Sequence, residues 1–169
     1  MDPPEQHRAY GPERLGFAAL TVSDSRTAAD DASGDEIERL AAAAGHRLVE
    51  RRIVRDEIVE IRAAAGELLR LAEVDVLVIS GGTGFSPRDL TLEAATPLFD
   101  RRIDGFGELF RMLSFEQVGA AAMLSRAAAG VIGSRAVFVL PGSPKAVALA
   151  MERLILPEAG HLLGQARRA

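Results

Sequence analysis

The chain has 169 residues, 48% of them apolar and 26% charged, which is the balance of one globular domain able to bury a substantial core. Its 24 acidic and 20 basic side chains leave a net charge of -4, so bulk electrostatics give no support to a nucleic-acid partner. With no cysteine, disulfides, thiolate metal sites and cysteine nucleophiles are all excluded.

No run approaches the roughly 18 consecutive apolar residues of a membrane span. The opening "MDPPEQHRAYGPER" has acids and prolines where a signal peptide needs basic and then apolar residues, so a cytoplasmic location is expected. His7, His46 and His161 lie far apart, without metal-ligand spacing.

Residues 1–13, with three prolines and no apolar period, read as a loose arm, and 14–169 as a single domain. "RLGFAALTV" is a short apolar run expected to form a buried strand. In "SGDEIERLAAAAG", Ser33 and Glu36 have capping-box spacing, Ile37, Leu40 and Ala41 share a face, and Gly45 fits a C-cap. "HRLVERRIV" reads as a second strand. "DEIVEIRAAAGELLRLAE" carries a helical stripe of Ile58, Ile61, Ala65, Leu68, Leu69 and Ala72. "VDVLVIS" is a β-branched run expected to be covered on both faces.

"TLEAATPLF" predicts a short helix weakened by Pro97. "GFGELFRMLSFEQVG" predicts a helix apolar on several sides, either buried or lining a subunit contact. "AVFVLP" is another buried strand. The last helix is expected to start with Ser143 as N-cap and Pro144 at its first position, and to run to about Leu156 before Pro157 interrupts it. This order specifies a three-layer α/β sandwich around a mostly parallel sheet.

In such a sheet, ligands bind outside the carboxyl ends of the strands. Three loops there have suitable residues: "TVSDSRTAADDASG", "SGGTGFSPRDLT" and "LPGSPK". The second lacks the Lys-Ser/Thr pair of a P-loop. Pro87 also stands where a dinucleotide fingerprint needs its last glycine, which argues against a nicotinamide-dinucleotide domain. Gly81, Gly82 and Gly84 remain able to bring backbone N–H groups close to an anion. Gly142 and Ser143 open the last helix, beside Lys145, the chain's only lysine and a candidate phosphate contact. Asp24, Asp56 and Asp89 each follow a predicted strand. Anion-binding loops beside carboxylates suit a magnesium-bound nucleoside triphosphate, with Asp89 holding the metal or positioning the attacking group.

The stretches "TVSDSRTAADDASG", "SGGTGFSPRD", "DGFGELFRMLSFEQVG", "LSRAAAG" and "LPGSPKAV" span about residues 14–156 and resemble, in order, the molybdenum-cofactor biosynthesis proteins of the MoaB/MogA family. The first and third look more like the B-type branch than the adenylyltransferase branch. The resemblance implies a molybdopterin-binding-like fold and a trimer or a dimer of trimers. It also implies binding of molybdopterin, whose terminal phosphate attacks the α-phosphate of Mg-ATP in active members, giving adenylylated molybdopterin and pyrophosphate. On this chain Gly81, Gly82, Thr83 and Gly84, together with Pro141, Gly142, Ser143 and Pro144, would line the site. By the same resemblance Asp89 and Asp56 match the two aspartates of active members, Ser23 and Asp24 the first-strand motif, and Ser125 and Arg126 the "LSR" segment.

Two readings follow. One is an active molybdopterin adenylyltransferase using Mg2+ and ATP, favoured by "SPRDLT", which is close to the wording of the active branch. The other is a non-catalytic pterin- or nucleotide-binding relative serving as an accessory or assembly protein, favoured by the B-type look.

Overall fold

The computed structural model describes residues 14–168, so the arm expected at 1–13 lies outside the described residues. Along the chain run β1 (Gly16–Val22), α1 (Ala32–Ala43), β2 (Arg47–Val54), α2 (Ile58–Arg70), β3 (Val76–Ser80), α3 (Thr91–Ala95), β4 (Arg101–Arg102), α4 (Asp104–Val118), β5 (Ala128–Ile132), β6 (Arg135–Leu140), α5 (Pro144–Ala150) and α6 (Leu156–Ala166). The strands form one six-stranded sheet in the order β2-β1-β3-β6-β5-β4. β2, β1, β3 and β6 are mutually parallel, while β5 runs antiparallel to both β6 and β4. The carboxyl ends of the four parallel strands define the upper rim.

Alternation along the central strands divides the core in two. Phe17, Ala19, Val76, Val78 and Phe138 face α1, α4 and the α5–α6 run. Ala18, Leu20, Leu77, Ile79 and Val139 face α2 and α3. The fold is therefore the expected three-layer sandwich. Each fully buried Val, Leu, Ile or Phe side chain here contributes about 1.5–3 kcal/mol relative to exposure. β2 is an edge strand, and its Arg51 and Arg52 are engaged in ion pairs, a charged edge that discourages pairing with a second sheet.

Four local expectations are corrected. The N-cap of α1 is Asp31, whose Oδ1 accepts from Gly34 N, so the capping box of Ser33 and Glu36 does not form. Tertiary contacts decide this: the buried Asp31 carboxylate also accepts from Thr21 Oγ1 at 2.9 Å and from Arg51 Nε at 2.8 Å. Ala72 lies beyond α2 and is exposed. Pro157 does not interrupt the last helix. A π-helical turn at Met151–Ile155 widens the ladder, and the proline falls in the first turn of α6, where its missing N–H costs little. Finally, β4 and β5 were not expected as strands. β5 and β6 form a hairpin across Gly133 and Ser134.

The C-terminus of α1 does end as expected. Gly45, at φ +81°, follows the cap residue Ala44, and Gly45 N and His46 N donate to Ala42 O and Ala41 O, closing a Schellman motif.

Candidate functional site

The three upper-rim loops meet at an open cavity of about 600 Å3. Gly81, Gly82, Thr83, Gly84 and Asp89 line one side, Pro141, Gly142, Ser143 and Pro144 another, and Ser125 a third. Sequence reasoning singled out all of these. It missed Arg26 and the apolar wall of Ala121 and Leu124, which also line the cavity. Arg26 lies within the quoted first-loop motif, but one arginine among 19 offers no contrast.

Close packing dictates the glycines. Gly81 has φ +95°, and a Cβ on it would stand 2.2 Å from Val22 O. At Gly82, with φ +60°, a Cβ would stand 2.3 Å from both Asp56 Oδ2 and Thr91 Oγ1. The loop is pinned at both ends, since Gly81 N donates to Leu140 O and Thr91 N to Gly82 O. Between these pins, the N–H groups of Gly82, Thr83, Gly84 and Phe85 have no protein partner among the described residues, and neither do those of Gly142 and Ser143. A run of free amides around a cavity is a setting for an anion. Ser143 is the expected N-cap, its Oγ accepting from Ala146 N at 3.1 Å.

The three aspartates reach the rim but hold different positions. Asp89 lines the cavity. Its Oδ2 accepts from Ser86 N at 2.9 Å, and its Oδ1 has no hydrogen-bond partner among the described residues. Asp56 is buried beneath the glycine loop, its Oδ1 accepting from Leu90 N at 2.9 Å. Burial pushes its carboxyl above the ordinary carboxylate value, and the negative charges of Asp89 and Asp24 add to the shift against the Leu90 hydrogen bond. Asp24 accepts from Asp56 N at 3.3 Å and takes both Nε and Nη2 of Arg88 on its Oδ2, and this pairing holds its carboxyl below the usual range.

Among the described residues no three His, Asp or Glu side chains are grouped to hold a metal ion. The metal role expected of Asp89 alone needs no such group. Magnesium commonly takes one or two carboxylates plus substrate phosphates. Asp89, with a free oxygen on the cavity, fits that smaller role.

Ser23, Asp24, Arg126 and Lys145 do not line this cavity. Ser23 and Asp24 line a neighbouring groove of about 690 Å3 on the other side of Arg26. The Ser23 hydroxyl accepts from Ser25 N and Arg26 N and so closes the turn after β1. Lys145 is exposed on the first turn of α5. Arg126 lies behind the glycine loop, its Nε donating to Thr83 O and its Nη2 to Asp89 O.

Comparison with known proteins agrees with this geometry. Residues 18–161 match the family described as "Probable molybdopterin binding domain". Molybdenum cofactor biosynthesis protein B of Bacillus cereus is 44% identical over 164 residues, covering 96% of this chain and 97% of that protein. A crystal structure of molybdenum cofactor biosynthesis protein B superposes with a TM-score of 0.91 at 45% identity, covering 94% of this chain and 99% of that one. The tungsten cofactor synthesizing protein MoaB from Pyrococcus furiosus does so at 0.84 and 39%, covering 93% and 99%. With matches of this extent at both levels, the chain belongs to the molybdopterin-binding-domain family of molybdenum cofactor biosynthesis proteins.

Proposed function

We propose that this protein acts in the cytoplasm as a molybdopterin adenylyltransferase in molybdenum-cofactor biosynthesis. The observation that carries the reading is the cavity, where free amides of the Gly82–Gly84 and Gly142–Ser143 segments meet the Asp89 carboxylate. The amides suit two phosphate-bearing ligands held side by side, and the apolar wall of Ala121 and Leu124 suits a heteroaromatic ring. In the reaction, a terminal phosphate oxygen of molybdopterin forms a bond to the α-phosphorus of ATP, the α–β anhydride bond breaks, and pyrophosphate leaves. Magnesium supplies charge neutralisation on the phosphates when bound. The chain itself holds the two anions in line and offers Asp89 beside them.

The test is turnover by the purified protein with molybdopterin, ATP and magnesium, following pyrophosphate and adenylylated product. Product formation that disappears in Asp89→Ala supports the assignment. An Asp89→Ala variant with full activity would remove it.

A second reading, a non-catalytic pterin- or nucleotide-binding accessory protein, has its own observation. Asp24 is occupied by Arg88, Asp56 is occupied by Leu90 N, and only Asp89 keeps a free oxygen towards the cavity. Binding of molybdopterin or ATP without product would select it.

We also propose assembly into a trimer or a dimer of trimers. Leu109, Met112, Phe115 and Val118 form an exposed apolar stripe along α4, extended by Met123 and Leu124. Light scattering should find an oligomer that Met112→Glu with Phe115→Glu breaks to monomers. A monomeric wild type would end that reading.

A further inference from the structure

We propose that Arg126 is a positioning residue: it aims the amides of the glycine loop instead of binding the ligand itself, while Arg26, which also lines the cavity, holds the carbonyl of the second loop. The inference rests on reading the cavity as an anion site. All three guanidinium nitrogens of Arg126 donate to the protein. Nε donates to Thr83 O at 3.0 Å and Nη2 to Asp89 O at 3.1 Å, while Nη1 pairs with Glu93 Oε1 at 2.6 Å. The group also lies over the Phe85 ring, 5.2 Å from its centroid. Glu93 offsets its charge, and this contact holds the Glu93 carboxyl below its usual range.

The planar trans peptide turns these contacts into a directional device. Within one peptide unit the C=O and the following N–H point in opposite directions, so gripping the oxygen fixes the hydrogen. Holding Thr83 O sets the direction of Gly84 N–H, which has no protein partner among the described residues. Holding Asp89 O sets Leu90 N–H, and that hydrogen is found on Asp56 Oδ1 on the far side. The Asp89–Leu90 peptide is thus clamped from both ends, and Asp89 itself projects from the clamped segment.

The second loop repeats the arrangement. Gly142 O accepts from Ser33 Oγ at 2.7 Å and from Arg26 Nη2 at 3.2 Å, while Arg26 Nη1 donates to Ser33 Oγ at 2.8 Å. With its carbonyl held, the Gly142–Ser143 peptide presents a Ser143 N–H that has no protein partner among the described residues. Ser33, expected to cap α1, serves instead to grip this carbonyl. A lysine at either position would keep the charge. It could not span two acceptors with one rigid plane, which separates aiming from simple attraction.

Inorganic pyrophosphate, titrated calorimetrically into the full chain, is the probe for Arg126→Lys, Arg126→Gln and Arg26→Lys. Amide hydrogen exchange over residues 82–92 is followed on the same proteins without ligand. Both Arg126 variants should bind pyrophosphate about tenfold more weakly, the scale of one lost charge-assisted hydrogen bond. Within 82–92 the hydrogen-bonded amides of Ser86, Asp89, Leu90 and Thr91 should exchange faster in both, while β1 and α1 keep wild-type protection, which general destabilisation would not allow. Arg26→Lys should weaken pyrophosphate and leave 82–92 unchanged. An Arg126→Lys variant with wild-type affinity and wild-type loop exchange overturns the proposal, because charge alone would then suffice. Unchanged exchange in 82–92 overturns it whatever the affinity. A wild type that binds no pyrophosphate, combined with faster loop exchange in Arg126→Lys, would remove the anion reading of the cavity and leave the positioning role standing.

Discussion

The two rims of the sheet use the same kinds of residue to opposite ends. At the lower rim, Asp75 accepts from Gly16 N at 2.8 Å and from Arg167, its own N–H donates to Gly16 O, and its carbonyl accepts from Ala136 N. One aspartate there ties β1, β3, β6 and the end of α6 together. At the upper rim, the amides of two loops are free, the Ser80 and Thr91 hydroxyls are buried without a partner, and Asp56 is buried with a raised pKa. Arg135 Nε is the lower rim's counterpart of those two hydroxyls. The bonds of Asp75 make the lower rim a clasp, Arg135 Nε apart. The unpartnered loop amides leave the upper rim open, and its buried unpartnered hydroxyls cost stability.

The largest effect expected from this contrast is on activity. Asp89→Ala should lower turnover at least about a hundredfold, the scale of losing a group that acts on developing charge, with little change in melting temperature. Its lower-rim counterpart, Asp75→Ala, should do the reverse. Loss of the part-buried Gly16 hydrogen bond to a charged group, with the more exposed Arg167 pair adding little, costs roughly 2–3 kcal/mol, a fall of several degrees in melting temperature for a chain of this size, while kcat and KM stay put. Equal effects of the two substitutions on both readouts would break the comparison.

The smallest effect sharpens it. Asp56→Asn should stabilise the fold at neutral pH by about 1 kcal/mol, since the amide can still accept from Leu90 N and carries no charge into the buried position. Because folding raises the Asp56 pKa above 3.8, the aspartate's stability is fully present below that value and is lost as pH rises through the folded-state value. The advantage of the asparagine variant should therefore shrink as pH falls towards 4. Melting curves across that range check the sign, and a gap that widens on acidification would contradict it.

Much of this contrast was legible in the sequence. The β-branched run of β3 and the glycines behind it announce a strand opening into a ligand loop, and "LPGSPK" announces its partner. What was not legible depends on contacts distant in sequence. Asp31 outcompetes Ser33 as the α1 cap because Thr21 and Arg51 surround it, and neither is a sequence neighbour. β5 is built from "AAGVI", which lacks a dense β-branched signal. The Gly133-Ser134 pair between two apolar runs was the available clue to the hairpin. Pro157 reads as a breaker on any local rule, and the π turn before it depends on how the whole run packs. Asp24 is held by Arg88, whose reach across the rim no spacing rule encodes.

Lys145 is the only lysine in the chain, and it stands exposed two residues from a cavity-lining serine. Apart from the chain's α-amino group, an acylating reagent therefore meets one amine, on the residue after the cavity-lining Pro144. A fluorophore placed there would report occupancy directly, its emission shifting as a ligand enters, and a bound ligand would shield that amine from labelling. Its one lysine thus offers a single side-chain labelling point, with no cysteine background to remove.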